Sequence, residues 1–118
     1  MLGIIGGSGL YDIEGLTHIE WLDVESAFGK PSDRLLKGKL NGSDIVFLPR
    51  HGREHTLSPS KINYRANIDV LKKVGVNSIV SISAVGSLSD KLNPGSVVIV
   101  DQFIDRTFAR EKTFFSDC

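Results

Sequence analysis

Cysteine is nearly missing from this chain: one, Cys118, in 118 residues. An internal disulfide framework is therefore excluded, and the composition fits a reducing compartment. Net charge is missing as well, since fourteen Lys+Arg balance fourteen Asp+Glu. That removes the whole-molecule attraction expected of a protein that binds nucleic acid or an anionic membrane surface. No apolar run approaches the roughly 20 residues of a membrane span. The opening MLGIIGGSGLYD has no Lys or Arg before its apolar run and is soon broken by glycine, so it reads as neither secretory leader nor anchor. Leu2 after Met1 excludes N-myristoylation. Repeats, low-complexity tracts and Pro/Ser linkers are absent too, so nothing marks a domain boundary within 1–118. With 41% hydrophobic residues, the expectation is a globular cytoplasmic protein without a membrane partner.

What is present is a series of short apolar runs closed by glycine turns. Met1 to Ile5 runs into Gly6-Gly7-Ser8-Gly9 and reads as a buried strand. His18 to Val24 alternates as a half-buried strand does. Leu35 to Leu40 and Ile45 to Leu48 flank Asn41-Gly42, the strongest short hairpin signal. From about Ser60 the period becomes helical, with Tyr64, Ile68 and Leu71 at i, i+4, i+7. Ser58 or Ser60 is the expected cap, and Lys72-Lys73 with Gly75 the stop. Ser78 to Ser83 reads as another buried strand, and Ser96 to Val100 as a further strand. The order predicts an α/β fold: a mixed, mostly parallel central sheet flanked by helices. A parallel sheet expects helices on both faces, and only one helical pattern is found, so the fold reads as incomplete.

Three of the turns follow apolar strands: GGSG after Ile5, PRHGR after Leu48 and SAVGS after Ile82. Ligands of open α/β sheets bind at the carboxyl ends of strands. Ser8 and Ser83 bring hydroxyls there, glycines allow close approach of backbone N–H groups, Arg50 brings a planar bidentate fork and His51 a further donor. Those are the groups that hold a phosphate. Asp12 stands where a dinucleotide fingerprint would have its third glycine, and no Gly-Lys-Ser/Thr follows, so neither of those phosphate motifs is met. His51 and His55 have the spacing of a helical zinc pair, but Gly52 intervenes and no third ligand is near, so no metal is expected. Each glycine turn taken singly is equally well explained as strand punctuation. His18 reads as structural, Trp21 as core or subunit contact, and Arg106, Arg110, Glu111 and Lys112 as a solvated face. Cys118 has no neighbouring base that would make it a nucleophile.

In order, the segments GIIGGSGLYD, FGKPSD, LPRHGREHTLSPSKINYRANI, SISAVGSL and VIVDQFIDRT strongly resemble the S-methyl-5′-thioadenosine phosphorylase family. The S-methyl-5′-thioinosine phosphorylases are near relatives, within the trimeric purine nucleoside phosphorylase superfamily. The resemblance runs over essentially the whole chain and is most specific from Arg50 to Ile68. It implies reversible phosphorolysis of a purine thioribonucleoside to free purine and 5-methylthioribose 1-phosphate, as a transferase of purine and methionine salvage. Inorganic phosphate is then a co-substrate, no cofactor is implied, and a homotrimer is. By the family pattern Ser8, Arg50, His51, Ser83 and Ala84 hold the phosphate, while Val85 and Gly86 lie beside the purine and sugar. Family members are much longer, so 1–118 reads as the N-terminal part of a single nucleoside phosphorylase domain. On this resemblance the remainder carries the acidic group that helps protonate the leaving base, and the catalytic residues stay unassigned here. The alternative is a truncated, non-catalytic phosphate-binding or interaction module.

Overall fold

The computed structural model describes residues 1–7 and 12–115. These divide into two units, Met1–Ser83 and Ala84–Cys118, and the first holds all the regular structure. Its strands are β1 (Leu2–Gly6), β2 (Thr17–Leu22), β3 (Leu35–Leu40), β4 (Ser43–Pro49) and β5 (Ser78–Ser81), with one helix, α1 (Tyr64–Lys73), between β4 and β5. The sheet order is β2-β3-β4-β1-β5. β1 pairs in parallel with both β4 and β5, whereas β2–β3 and β3–β4 are antiparallel. Only β3 therefore runs against the rest, which gives the mixed, mostly parallel sheet expected.

The hairpin β3–β4 forms where Asn41-Gly42 places it, with Leu40 opposite Ser43. Both turn residues have positive φ, 49° and 80°, the backbone that matches the twist of a two-residue turn. α1 begins later than the periodicity indicates. Pro59–Lys61 forms a single 3₁₀ turn first, and the Ser58 side chain makes no capping bond. The cap is Asn63, whose side-chain oxygen accepts from the Ala66 N–H at 3.0 Å, satisfying one of the helix's orphan donors. The other end is as expected, with Lys72 and Lys73 in the last turn.

β4 is buried on both faces and explains how two small cores share one sheet. Val46 and Leu48 point toward Val70 and Leu71 of α1, with Leu35 completing that cluster. Ile45 and Phe47 point the other way, packing with Leu36 and against Leu2, Ile4, Ile13, Leu16, Trp21 and Leu40. Among the described residues α1 is the only α-helix, and the second face is filled by that ring of side chains instead of by another helix. Asn67, 2% exposed, fastens α1 to the segment before β3. Its Oδ1 accepts from the Ser32 N–H at 2.8 Å and its Nδ2 donates to Ser32 Oγ at 2.9 Å.

Three strand expectations are corrected. β5 spans only Ser78–Ser81 and all four residues are exposed instead of buried, because it lies at the edge of the sheet. β2 spans Thr17–Leu22 and only Trp21 and Leu22 are partly buried, because it is an edge strand. Ser96 to Val100 forms no strand: it lies in the second unit, which has no helix or strand among the described residues. Val97 and Ile99 are 95% and 93% exposed. A β-branched run supplies the propensity for a strand, but a strand needs a hydrogen-bonded neighbour. None is paired to it here. The second unit is held by local contacts such as Asp105 accepting from Thr107 N–H and Oγ1–H, and the Lys112–Asp105 ion pair at 3.5 Å.

Candidate functional site

The parallel pairing of β1 with β4 and β5 decides where the site falls. In a parallel arrangement carboxyl ends share one edge, and here Gly6, Pro49 and Ser81 close three neighbouring strands. The backbone pairing continues one residue past them. Arg50 N–H donates to Gly6 C=O at 2.8 Å, and Ile82 N–H donates to Ile5 C=O at 2.8 Å. Arg50 and Ser83 thus leave one edge of the sheet on either side of β1, with the backbones of Arg50 and Ile82 tied to it.

Their side chains meet. Arg50 Nη1 donates to Ser83 Oγ at 2.6 Å although the residues are 33 apart in sequence. His51 is drawn in on the other side of the guanidinium: Arg50 Nε donates to His51 Nε2 at 3.4 Å. The opposite ring nitrogen, Nδ1, lies 2.9 Å from the Leu57 carbonyl oxygen. A carbonyl can only accept, so Nδ1 carries the proton and Nε2 is the acceptor in the neutral ring. His51 therefore orients Arg50 in this geometry, with both of its ring nitrogens engaged.

The loop after β4 closes on itself to hold this arrangement. Gly52 N–H donates to Pro49 C=O, His55 N–H to Gly52 C=O and Leu57 N–H to His51 C=O, each at 3.1 Å. Gly52 sits at φ 75°, where a side chain is strained. The His51 and His55 rings stack with centroids 5.5 Å apart and planes 18° apart. Among the described residues no group of three or more His, Cys, Asp or Glu is placed to hold a metal ion.

Of the residues expected at the site, Arg50, His51 and Ser83 are brought together. Ser8 lies outside the described residues. Ala84, Val85 and Gly86 belong to the second unit, where Val85 is 87% exposed. The sequence reading missed the supports: the Leu57 carbonyl, and Asp33. Asp33 accepts from the backbone N–H groups of Arg53 (2.7 Å) and Arg34 (2.8 Å) and from Arg53 Nε (3.0 Å). That fixes the outer side of the same loop, and the Arg53 guanidinium lies 4.4 Å from the Trp21 ring centroid. Neither support carries a local signal, because both partners are found only once the chain has folded.

Burial pushes the Asp33 carboxyl upward, but its hydrogen bonds from the Arg53 backbone, the Arg53 side chain and the Arg34 backbone, with the Arg53 charge, outweigh it. Together they hold the carboxyl below its ordinary value of 3.8. A depressed carboxylate stabilises the fold fully above its unfolded pKa and loses that contribution as pH falls through the folded value. Asp33→Asn is thus expected to lower stability by about 1–2 kcal/mol at neutral pH, allowing for the screening of a half-exposed Arg53. Urea unfolding at several pH values should show the gap to wild type constant above pH 3.8 and shrinking below it.

A guanidinium, an imidazole and a hydroxyl thus meet at the carboxyl edge of a mixed α/β sheet. The whole of residues 1–118 matches the model of the phosphorylase superfamily, and the chain belongs to that family. It is 64% identical over 115 residues to S-methyl-5′-thioadenosine phosphorylase of Rhodospirillum rubrum, an alignment covering 98% of this chain and 39% of that protein. The Cereibacter sphaeroides enzyme of the same name is 56% identical, with 98% and 40% covered. Among solved structures, methylthioadenosine phosphorylase from Schistosoma mansoni in complex with tubercidin superposes with a TM-score of 0.87 at 45% identity. That match covers 96% of this chain and 40% of the other. The chain thus spans about two-fifths of the length of these relatives. Among the described residues no helix is long and apolar enough to cross a membrane.

Proposed function

We propose that residues 1–118 are the N-terminal part of a nucleoside phosphorylase domain and supply the phosphate half of its site. The reaction of the complete gene product is phosphorolysis of S-methyl-5′-thioadenosine, or a related purine nucleoside, to the free purine and 5-methylthioribose 1-phosphate. The observation that carries this reading is the Arg50 Nη1–Ser83 Oγ contact at 2.6 Å on an edge shared by three strands. It sets a fixed cation and a hydroxyl where an oxyanion can bridge them. The names of the relatives supply the nucleoside.

In this reaction a phosphate oxygen attacks the anomeric carbon as the bond to the purine nitrogen breaks. The electron pair of that bond leaves with the purine. The sugar passes through an oxocarbenium-like state, which a positioned phosphate dianion both traps and stabilises. Arg50, with Ser8, Ser83 and the Ala84 backbone, would hold the dianion, His51 would steady Arg50, and Val85 and Gly86 would flank the purine and sugar. Inorganic phosphate is the co-substrate and no cofactor is needed. A cytoplasmic homotrimer of purine and methionine salvage is the setting that the resemblance supplies.

The test is adenine release from S-methyl-5′-thioadenosine by the complete gene product, followed by chromatography with and without phosphate. Release that depends on phosphate and yields 5-methylthioribose 1-phosphate is the expected result. Phosphate binding with no base release would overturn the reading in favour of a non-catalytic phosphate-binding module.

A further inference from the structure

We propose that His55 is a positioning residue for the phosphate site, acting through His51 on Arg50. This rests on the reading of Arg50 and Ser83 as phosphate ligands. His51 is held at one edge by the Leu57 carbonyl (2.9 Å) and offers Nε2 to Arg50 Nε at 3.4 Å at the other. Neither contact restrains the ring's tilt about that line. The His55 ring supplies the restraint, lying against the face of His51 at 5.5 Å and 18°, a separation typical of favourable ring stacking.

The backbone carries the mark of that arrangement. His55 has φ 53°, a left-handed conformation that residues with a Cβ adopt at a cost and that His, Asn and Asp tolerate best. Such strain persists where surrounding bonds over-determine it. Here His55 N–H donates to Gly52 C=O and Leu57 N–H to His51 C=O, each at 3.1 Å. The loop that bends His55 into this conformation is thus the loop that lays its ring over His51. With that face covered, His51 keeps one orientation, Arg50 Nε keeps its acceptor, and Nη1 stays aimed at Ser83. Without the ring, His51 is free to turn and the guanidinium must be ordered at the moment phosphate binds, which weakens binding.

Two substitutions separate the stack from the backbone. His55→Asn keeps a residue that accepts positive φ and removes the ring. His55→Phe keeps the ring and removes its nitrogens. Isothermal titration of the complete gene product with inorganic phosphate alone should give a Kd raised between about twofold and tenfold in His55→Asn. His55→Phe should return it to within about twofold of wild type, the stacked ring being retained. Thermal unfolding should show both variants folded at the assay temperature. An unchanged Kd in His55→Asn, or a defect in His55→Phe equal to that in His55→Asn, would overturn the proposal. Arg50→Ala run alongside tells the two layers apart. If it weakens phosphate binding and His55→Asn does not, only the role of His55 falls; if it has no effect, the phosphate site falls and the role of His55 with it.

Discussion

Replacing Arg50 by alanine in the complete gene product is expected to raise the KM for phosphate between about tenfold and 150-fold, with the fold intact. The estimate follows from the roughly 1.5–3 kcal/mol of a hydrogen bond to a charged group, at 1.4 kcal/mol per tenfold. Stability should change little, since the backbone of Arg50 still donates to Gly6 C=O at 2.8 Å and its side chain anchors no core residue. Arg50→Lys is expected to fall between, because an ammonium keeps the charge and loses the planar fork that reaches Ser83 and His51 together. Initial rates across a phosphate titration, at saturating nucleoside, provide the measurement. A phosphate KM within twofold of wild type in Arg50→Ala would remove Arg50 from the site.

Phe47→Ala is expected to do the reverse, costing about 3–5 kcal/mol of stability and leaving the phosphate KM of the folded protein near wild type. Phe47 is 2% exposed and centres the cluster formed with Leu36 and Ile45. Its loss leaves a cavity in a sheet face that no helix among the described residues covers, so the neighbours have limited means to collapse into it. Arg50 is shielded from this change. It leaves β4 past Pro49, three residues beyond Phe47, and its backbone bond to Gly6 C=O does not involve the Phe47 ring. The urea midpoint, with the slope checked for constancy, reads the stability. A loss under about 1 kcal/mol would mean that the Phe47 cluster contributes far less than its burial implies. The two variants therefore separate what holds the sheet from what works at its edge.

Local chemistry made part of this legible in advance. Asn41-Gly42 specified its hairpin because the turn needs two residues that tolerate positive φ, and both strands flanking it are apolar. The meeting of Arg50 with Ser83 was legible because parallel strands gather their carboxyl ends. The cap of α1 was misplaced at Ser58 or Ser60, where Pro59 starts a separate 3₁₀ turn. The signal for Asn63 was present, since Asn is among the strongest capping residues. Ser96 to Val100 has the composition of a strand, and composition cannot supply the neighbour that a strand must bond. The supports of the site were illegible for a related reason. Asp33 meets Arg53 across 20 residues, and His51 finds the Leu57 carbonyl through a loop whose closure depends on Gly52 and His55 at positive φ.

The central position of β1 has a consequence for the order in which the protein can be made. β1 leaves the ribosome before both of its neighbours, β4 and β5, which begin at Ser43 and Ser78. At about 5–20 residues per second, several seconds pass between the emergence of β1 and that of its last partner. Throughout that interval at least one edge of an apolar strand stands open to any other nascent or misfolded chain. The edge on which Arg50 and Ser83 meet is assembled only once β5 has emerged, so slow translation before Ser78 prolongs the vulnerable stage, and yield should respond to chaperone supply during it.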